Sequence, residues 1–355
     1  MNAKVKSCAV AAGFAVFLST FCFFQAPSWA SGPQQIEAID GLGRKIIVPA
    51  PVRKIVALNS DALEALRILN AQDRVVGVFS QIETDSAFWG DLVNKPKVGS
   101  WREPNSEIIA ELAPDIVLAY AKTPSPEWEA RMTSQGITVL RLDLYKAETL
   151  EREIRELGRV LGRTQEAERF CSWNSQWMNR IESEISGAPQ RPWVYVESYS
   201  DYQAAAPTSG GHEMVVMAGG RNIAEDLAIP FARITPEWVV TRNPEVIIKA
   251  GSFSSGYGAA DAVAPLNKRR DGIMNRPAWS LIKAVATGNV HVLDSSIWVG
   301  PRAVVGIAYM AKWLHPDLMS DIDPEALHKE YMETFQRLPY KGAYVSDPAP
   351  EASGK

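Results

Sequence analysis

Short apolar runs alternate with stretches of helical period along most of this chain. Lys54–Asn59 is a β-rich run, followed by Ser60-Asp61 as a cap and Ala62–Leu69 as a helical pattern. Arg74–Phe79 predicts a second strand, Ser106–Leu112 a helix, Pro114-Asp115 a turn and Ile116–Tyr120 a buried strand. Trp128–Gln135 predicts a helix closed by Gly136, and Thr138–Leu142 a further strand. The same grammar restarts after residue 190. Trp193–Ser198 predicts a strand, Glu213–Ala218 a short helix closed by Gly219-Gly220, and Pro236–Arg242 a helix with Asn243-Pro244 as its turn. Val246–Ala250 and Val290–Leu293 predict strands, and Arg302–Leu314 and Pro324–Arg337 helices. Strand-helix-strand alternation at this spacing predicts parallel sheets with helices on both faces.

Between the halves, Leu150, Ile154, Leu157 and Leu161 line one face of a helix that Gly162 interrupts. Thr164 then caps a second helix with Phe170, Trp173, Trp177, Ile181 and Ile185 as its apolar stripe, ended by Gly187 and Pro189. At 1.5 Å per residue it spans about 33 Å, roughly the width of a small lobe. The expected fold is therefore α/β: two Rossmann-like lobes with central, mostly parallel sheets, joined by one long α-helix. The expected boundaries are a leader over 1–30, a first lobe over 31–148, a helical connector over 149–189, a second lobe over 190–340 and a tail over 341–355.

One segment repeats. Asn105-Ser-Glu107-Ile-Ile-Ala-Glu-Leu-Ala-Pro114-Asp115-Ile-Val-Leu aligns without gaps on Thr235-Pro-Glu237-Trp-Val-Val-Thr-Arg-Asn-Pro244-Glu245-Val-Ile-Ile. Each copy carries a glutamate in the first helical turn, a Pro-acid turn seven residues later and then a core strand.

The leader changes the charge and the cysteine count. Lys4 and Lys6 precede an apolar run from Cys8 to Phe24, and Ser28-Trp29-Ala30 supplies a small-x-small cleavage site, so an exported mature chain starting near Ser31 is expected. Phe21 before Cys22 makes a poor lipid-attachment site. Loss of the two lysines takes the formal charge from −4 to −6, which leaves no basic footprint for nucleic acid or anionic lipid. Cys171 then stands alone and reads as a small buried hydrophobe.

Enzyme signatures are missing. His212-Glu-Met-Val-Val216 begins like a zinc-protease motif, but valine stands in place of the second histidine. No G-x-S-x-G elbow is present. Four histidines without a spaced ligand cluster argue against a protein-built metal site. Ser209-Gly210-Gly211 lacks phosphate-loop spacing and reads as a loop opening a helix, with Ser209 a candidate polar ligand contact.

Ile39-Asp-Gly-Leu-Gly-Arg-Lys-Ile-Ile-Val-Pro49, Val52-Arg-Lys-Ile-Val-Ala-Leu58 and Val98-Gly-Ser-Trp-Arg-Glu-Pro-Asn-Ser-Glu-Ile-Ile109, taken in order, resemble the binding proteins of ABC-type importers for ferric siderophores, haem and cobalamin. The resemblance runs from about residue 36 to about residue 338. It implies a monomeric periplasmic protein, not an enzyme, that holds its ligand between the lobes. It also implies that Glu107 and Glu237, one per lobe, dock into arginines of a permease dimer, an arrangement suited to directional charge-assisted pairing.

Ligands of doubly wound sheets sit beyond the carboxyl ends of the strands. That rule selects Asn59-Ser60, Ser80-Gln81, Tyr120 with Lys122, Ser198-Tyr199 and Ser252-Phe253. The resemblance adds the loop of Trp101, for stacking, and Arg102, for carboxylate or phosphate pairing. Trp298 and Arg302 are expected from the other lobe, and Tyr199, Tyr202 and Tyr257 form a looser aromatic set. No covalent cofactor and no protein-bound metal are expected. The ligand is expected to be an iron chelate, a ferric siderophore first, or else a corrinoid; haem ligation is disfavoured because the indole of Trp101 cannot ligate iron. A chelate-dependent sensor or enzyme is the alternative of another class.

Overall fold

The computed structural model describes residues 1, 3, 4, 34–252, 257–259 and 263–348. The leader apart from those three residues, Phe253 and residues 349–355 of the tail lie outside the described residues.

The described chain enters through a hairpin. β1 (Gln34–Ile39) pairs antiparallel with β2 (Lys45–Ala50). Asp40 shapes the turn: its Oδ1 accepts from the N–H groups of Leu42 and Arg44 at 2.9 and 2.8 Å, and Gly43 takes φ +76°.

The first sheet holds β3 (Ile55–Ala57), β4 (Val75–Val78), β5 (Ile116–Ala119) and β6 (Thr138–Arg141) in the order β4-β3-β5-β6, all parallel. Alternate side chains leave opposite faces of a strand, and both faces here are covered. Val56, Val117 and Val139 pack one way, against Ile109, Trp128 and Met132. Ile55, Ala57, Ile116, Leu118 and Leu140 pack the other way. The covering helices are α1 (Ser60–Ile68), α2 (Ser86–Trp89), α3 (Ser106–Leu112) and α4 (Pro126–Ser134).

The connector is α5 (Leu150–Leu161) and α6 (Thr164–Ile185). Gly162 separates them at φ +66°, as its position predicts. Thr164 is the first helical residue rather than the cap; Arg163 occupies that place without a side-chain bond. Cys171 is buried, as its apolar surroundings in the sequence suggest.

The second sheet contains β7 (Trp193–Glu197), β8 (Gln203–Ala205), β9 (Arg221–Asn222), β10 (Phe231–Arg233), β11 (Val246–Gly251) and β12 (Val290–Asp294). Its order is β10-β8-β7-β11-β12, with β9 also beside β7. β9, β7, β11 and β12 run parallel; β8 and β10 are an antiparallel extension. α7 (Gly210–Met217), α8 (Pro236–Arg242), α9 (Val263–Met274), α10 (Lys283–Ala286), α11 (Ala303–Leu314) and α12 (Pro324–Tyr331) complete this half. α12 ends in one π-helical turn, Met332–Gln336, where the sequence pattern predicts continuous helix.

The repeat read in the sequence is a repeat in space. Asn105 caps α3 and Thr235 caps α8. The residues that close those helices, Ala113 and Asn243, adopt nearly the same left-handed conformation, φ 44° ψ 60° and φ 45° ψ 63°. The acids after the two prolines have the same employment. Asp115 accepts from the N–H groups of Arg53 and Lys54 just before β3, and Glu245 accepts from Trp193 N–H at the start of β7.

The lobes are joined by more than a helix. One hydrophobic cluster runs from Ile55, Ala57 and Leu66 of the first half through Phe170 and Trp173 of α6 to Val196, Ile248 and Leu293 of the second. The C-terminal segment extends it. Tyr331 and Phe335 stack with Phe170 and Trp173, ring centroids 5.1–6.4 Å apart, and Arg337 donates to the carbonyl of Arg67 in α1. The described residues from Gln34 onward accordingly cluster as one unit.

Candidate functional site

The carboxyl ends of the parallel strands gather most of the candidate residues. β3 runs into Asn59, Ser60 and Asp61, β5 into Tyr120, β6 into Tyr145, β7 into Tyr199 and β12 into the turn ending at Gly300. The Trp101 loop joins β4 to α3. It is held because Ser80 N–H donates to Gly99 O at 2.8 Å and Asn105 N–H to Val98 O at 2.7 Å. Gly99, at φ +91°, has backbone of Glu103 and Asn105 within 3 Å of where a Cβ would stand, so only glycine fits this tight loop.

These elements bring together an aromatic wall. Trp101 meets Tyr120 edge to face at 5.6 Å, and Tyr120 meets Tyr145 edge to face at 5.5 Å. The Arg102 guanidinium lies 4.1 Å from the centroid of Trp101 and is exposed. The Tyr120 hydroxyl donates to Asp61 Oδ2 at 2.6 Å. Burial pushes the Tyr120 hydroxyl well above its ordinary range, and the Asp61 carboxylate adds to that. The second lobe approaches here: Gly300 N–H donates to Tyr145 O at 3.1 Å. Ser60 and Lys122 are exposed, Tyr199 is 52% exposed at the end of β7, and Tyr257 lies edge-on to Phe88 at 5.8 Å.

Four candidates are used inside the fold instead. Asn59, 3% exposed, caps α1, its Oδ1 accepting from Ala62 N–H at 2.9 Å. Ser209 caps α7 and donates to Ala206 O at 2.7 Å. Trp298, 1% exposed, is packed beneath Gly211 of α7. Arg302 is 4% exposed and pairs with Glu64 of α1, Nε to Oε1 at 2.8 Å and Nη2 to Oε2 at 3.1 Å. It is a buried link between the halves, and a side chain fixed on Glu64 is not presented to a ligand. Tyr202 also turns inward, between Arg276 and Trp279.

Sequence reasoning missed Asp61 and Tyr145. In the sequence Asp61 reads as part of the α1 cap, although an acid directly after the first strand end is the available signal. Tyr145 stands four residues beyond β6, past the stretch the strand rule covers. Two hollows lie elsewhere. One, of about 250 Å³, is bounded by Arg191, His212, Arg221 and Glu225. The other, of about 150 Å³, lies beside Glu237, between Pro236, Val240 and Pro277. His212 pairs with Asn222, Nδ1 to Nδ2 at 3.1 Å, and burial lowers its pKa. Glu107 and Glu237 are both exposed, at the same place in their repeats. Among the described residues no group of three or more histidine, cysteine or carboxylate side chains could hold a metal ion.

Two similar sheets that share a core, with an aromatic wall at their strand ends, define a two-lobed binding protein. The family described as periplasmic binding protein matches residues 55–297. The chain belongs to that family, whose members are binding proteins of ABC importers rather than enzymes. The vitamin B12-binding protein of Salmonella typhimurium is 24% identical over 155 residues, 44% of this chain and 58% of that protein. The match thus spans less than two thirds of that relative's length. A TroA-like periplasmic binding protein of Veillonella parvula superposes with a TM-score of 0.74 at 22% identity, covering 88% of this chain and 99% of that one. A molybdate-bound periplasmic binding protein of Haemophilus influenzae gives 0.73 at 20% identity, covering 87% and 100%. At these identities the superpositions speak for the fold.

Proposed function

We propose that the chain captures an intact metal chelate of low net charge between its lobes and hands it to an ABC permease. The aromatic wall of Trp101, Tyr120 and Tyr145 carries this reading. A chelate brings its own metal ligands, so its binder needs shape, stacking surface and a few charges, and the wall offers those. Arg102 and Lys122 are exposed cations on this side; Lys146, over the Tyr145 ring at 5.5 Å, is paired with Asp143, Asp61 adds an acid, and Arg302 is tied to Glu64. That balance suits a neutral chelate better than a polyanion. A neutral ferric hydroxamate siderophore is the first candidate. A corrinoid is the second, favoured by the likeness to vitamin B12-binding relatives. Export through the leader places capture in the periplasm, and the protein acts as a monomer.

Delivery runs through Glu107 and Glu237. Their support is the repeat: one exposed carboxylate per half, on helices with equivalent caps and equivalent left-handed ends. Such a pair registers a two-lobed body on a two-fold permease. The experiment for the ligand is native mass spectrometry of protein purified from its own periplasm, with an absorption spectrum of the same sample. A ferric hydroxamate and a corrinoid differ in mass and in colour; recovery of an enzymatic product or of a bare metal ion bound to protein would refute the reading.

A further inference from the structure

Asp61 is a charged group that the fold sets where the two lobes meet, outside the buried Glu64–Arg302 pair. It follows Asn59, whose capping bond starts α1, so the backbone fixes its position. On one side the Tyr120 hydroxyl donates to its Oδ2 at 2.6 Å. On the other, Gly300 of the second lobe comes so near that a Cβ there would stand 2.5 Å from Oδ1. The adjoining Gly300–Tyr145 hydrogen bond holds the lobes together around this carboxylate. The charged and titratable groups that face it are Glu64 on its own helix, Arg302 at the start of α11, Tyr120 after β5, Tyr145 after β6 and Tyr199 after β7. Arg302 is the one cation among them, and it is committed to Glu64.

We infer that Asp61 is the specificity-determining group of the cleft: it accepts a hydrogen bond from an N–H or O–H of a neutral or cationic chelate and turns away chelates of net negative charge. The inference rests on the chelate reading above. A carboxylate beside apolar rings repels a second negative charge far more strongly than one in open water does, while a donor on the ligand relieves its poor solvation.

The protonation state sharpens the consequence. Burial pushes the Asp61 carboxyl up to about 7; the Tyr120 hydrogen bond opposes this and the charge of Glu64 adds to it. Near neutral pH the ligand therefore decides whether Asp61 is ionised. A donor-bearing chelate selects the carboxylate and releases a proton on binding, so its affinity rises with pH. An anionic chelate selects the protonated acid, so its affinity falls with pH. For one linked proton, each slope is at most about tenfold per pH unit.

The test is a tryptophan-fluorescence titration of the full mature chain between about pH 6 and pH 8. The probes are a neutral ferric trihydroxamate, cyanocobalamin and a ferric tris-catecholate. The wild type is expected to bind at least one of the two neutral chelates about 3–10-fold more tightly at the upper pH, and the tris-catecholate more weakly there. Asp61→Asn should flatten both slopes to within about twofold and tighten the tris-catecholate at least about tenfold. Tyr120→Phe keeps the carboxylate but removes its donor, so it should move the midpoint of the pH profile upward; this variant also serves should Asp61→Asn fail to fold. Unchanged slopes and selectivity in Asp61→Asn, or an unmoved midpoint in Tyr120→Phe, would overturn the inference alone. A wild type that binds none of the three probes would overturn the chelate reading and the inference with it.

Discussion

Replacing Arg302 by methionine separates a structural role from a ligand-binding one. The guanidinium is 4% exposed and Glu64 5%. The pair sits at 2.8 Å, Tyr331 Oη donates to the same Glu64 oxygen at 2.5 Å, and Phe88 lies 4.7 Å beneath the guanidinium. Removing the cation leaves Glu64 buried without its ion-pair partner. Breaking one side of such a pair costs about 3–5 kcal/mol. In a chain of this size that lowers Tm by roughly 4–8 °C. The double variant Glu64→Leu with Arg302→Met removes both charges and should recover to within about 2 kcal/mol of the wild type. Circular-dichroism melts and urea titrations of the four proteins close the cycle. If Arg302→Met stays within about 1 kcal/mol of the wild type, or if the two single changes simply add, the buried-pair argument is wrong. Lost chelate affinity with unchanged stability would instead return Arg302 to the cleft, where the sequence alone suggests it.

Three further outcomes are expected. His291 stacks on Trp313 at 4.3 Å, and burial, with Arg270 adding, holds its pKa down at about 3; burial likewise lowers that of His328. A folded-state pKa below the unfolded value gives stability that is complete above about pH 6.5 and is lost as the pH falls toward 3. His291 alone should contribute a loss of about 2 kcal/mol between pH 7.5 and pH 5, and His291→Phe should remove that part of the slope in denaturant titrations. Glu107→Ala with Glu237→Ala should abolish transport in vesicles carrying the permease while chelate affinity stays within about twofold; lost affinity would place the two acids at the ligand. Gly211→Ala drives a Cβ into the indole of Trp298, which is buried and hemmed in, and should cost about 1–3 kcal/mol by urea unfolding.

The parallel core was legible because its strands are short and apolar and the helices before them carry capping residues, as α3 and α8 do before β5 and β11. The repeat was legible because Glu, Pro and acid keep register, and the structure gives the acids a common task at the start of β3 and β7. β8 and β10 were not, since Gln203–Ala205 and Phe231–Arg233 show no apolar alternation; β8 owes its place to β7, and β10 owes its place to β8. Composition also misleads at buried charge: Arg302 and Trp298 look like cleft residues until the packing of α1 and α7 against them is known. Asp61 lacked a motif because its setting is made by Tyr120 and Gly300, which lie 59 and more than 200 positions away.

The contact between Tyr331 and Glu64 joins residues 267 positions apart. The first helix of the opening lobe therefore gains this partner only after residue 331 has been made. Closure through contacts so distant in sequence is slow, because the loop between them must be ordered before the contact can reward it.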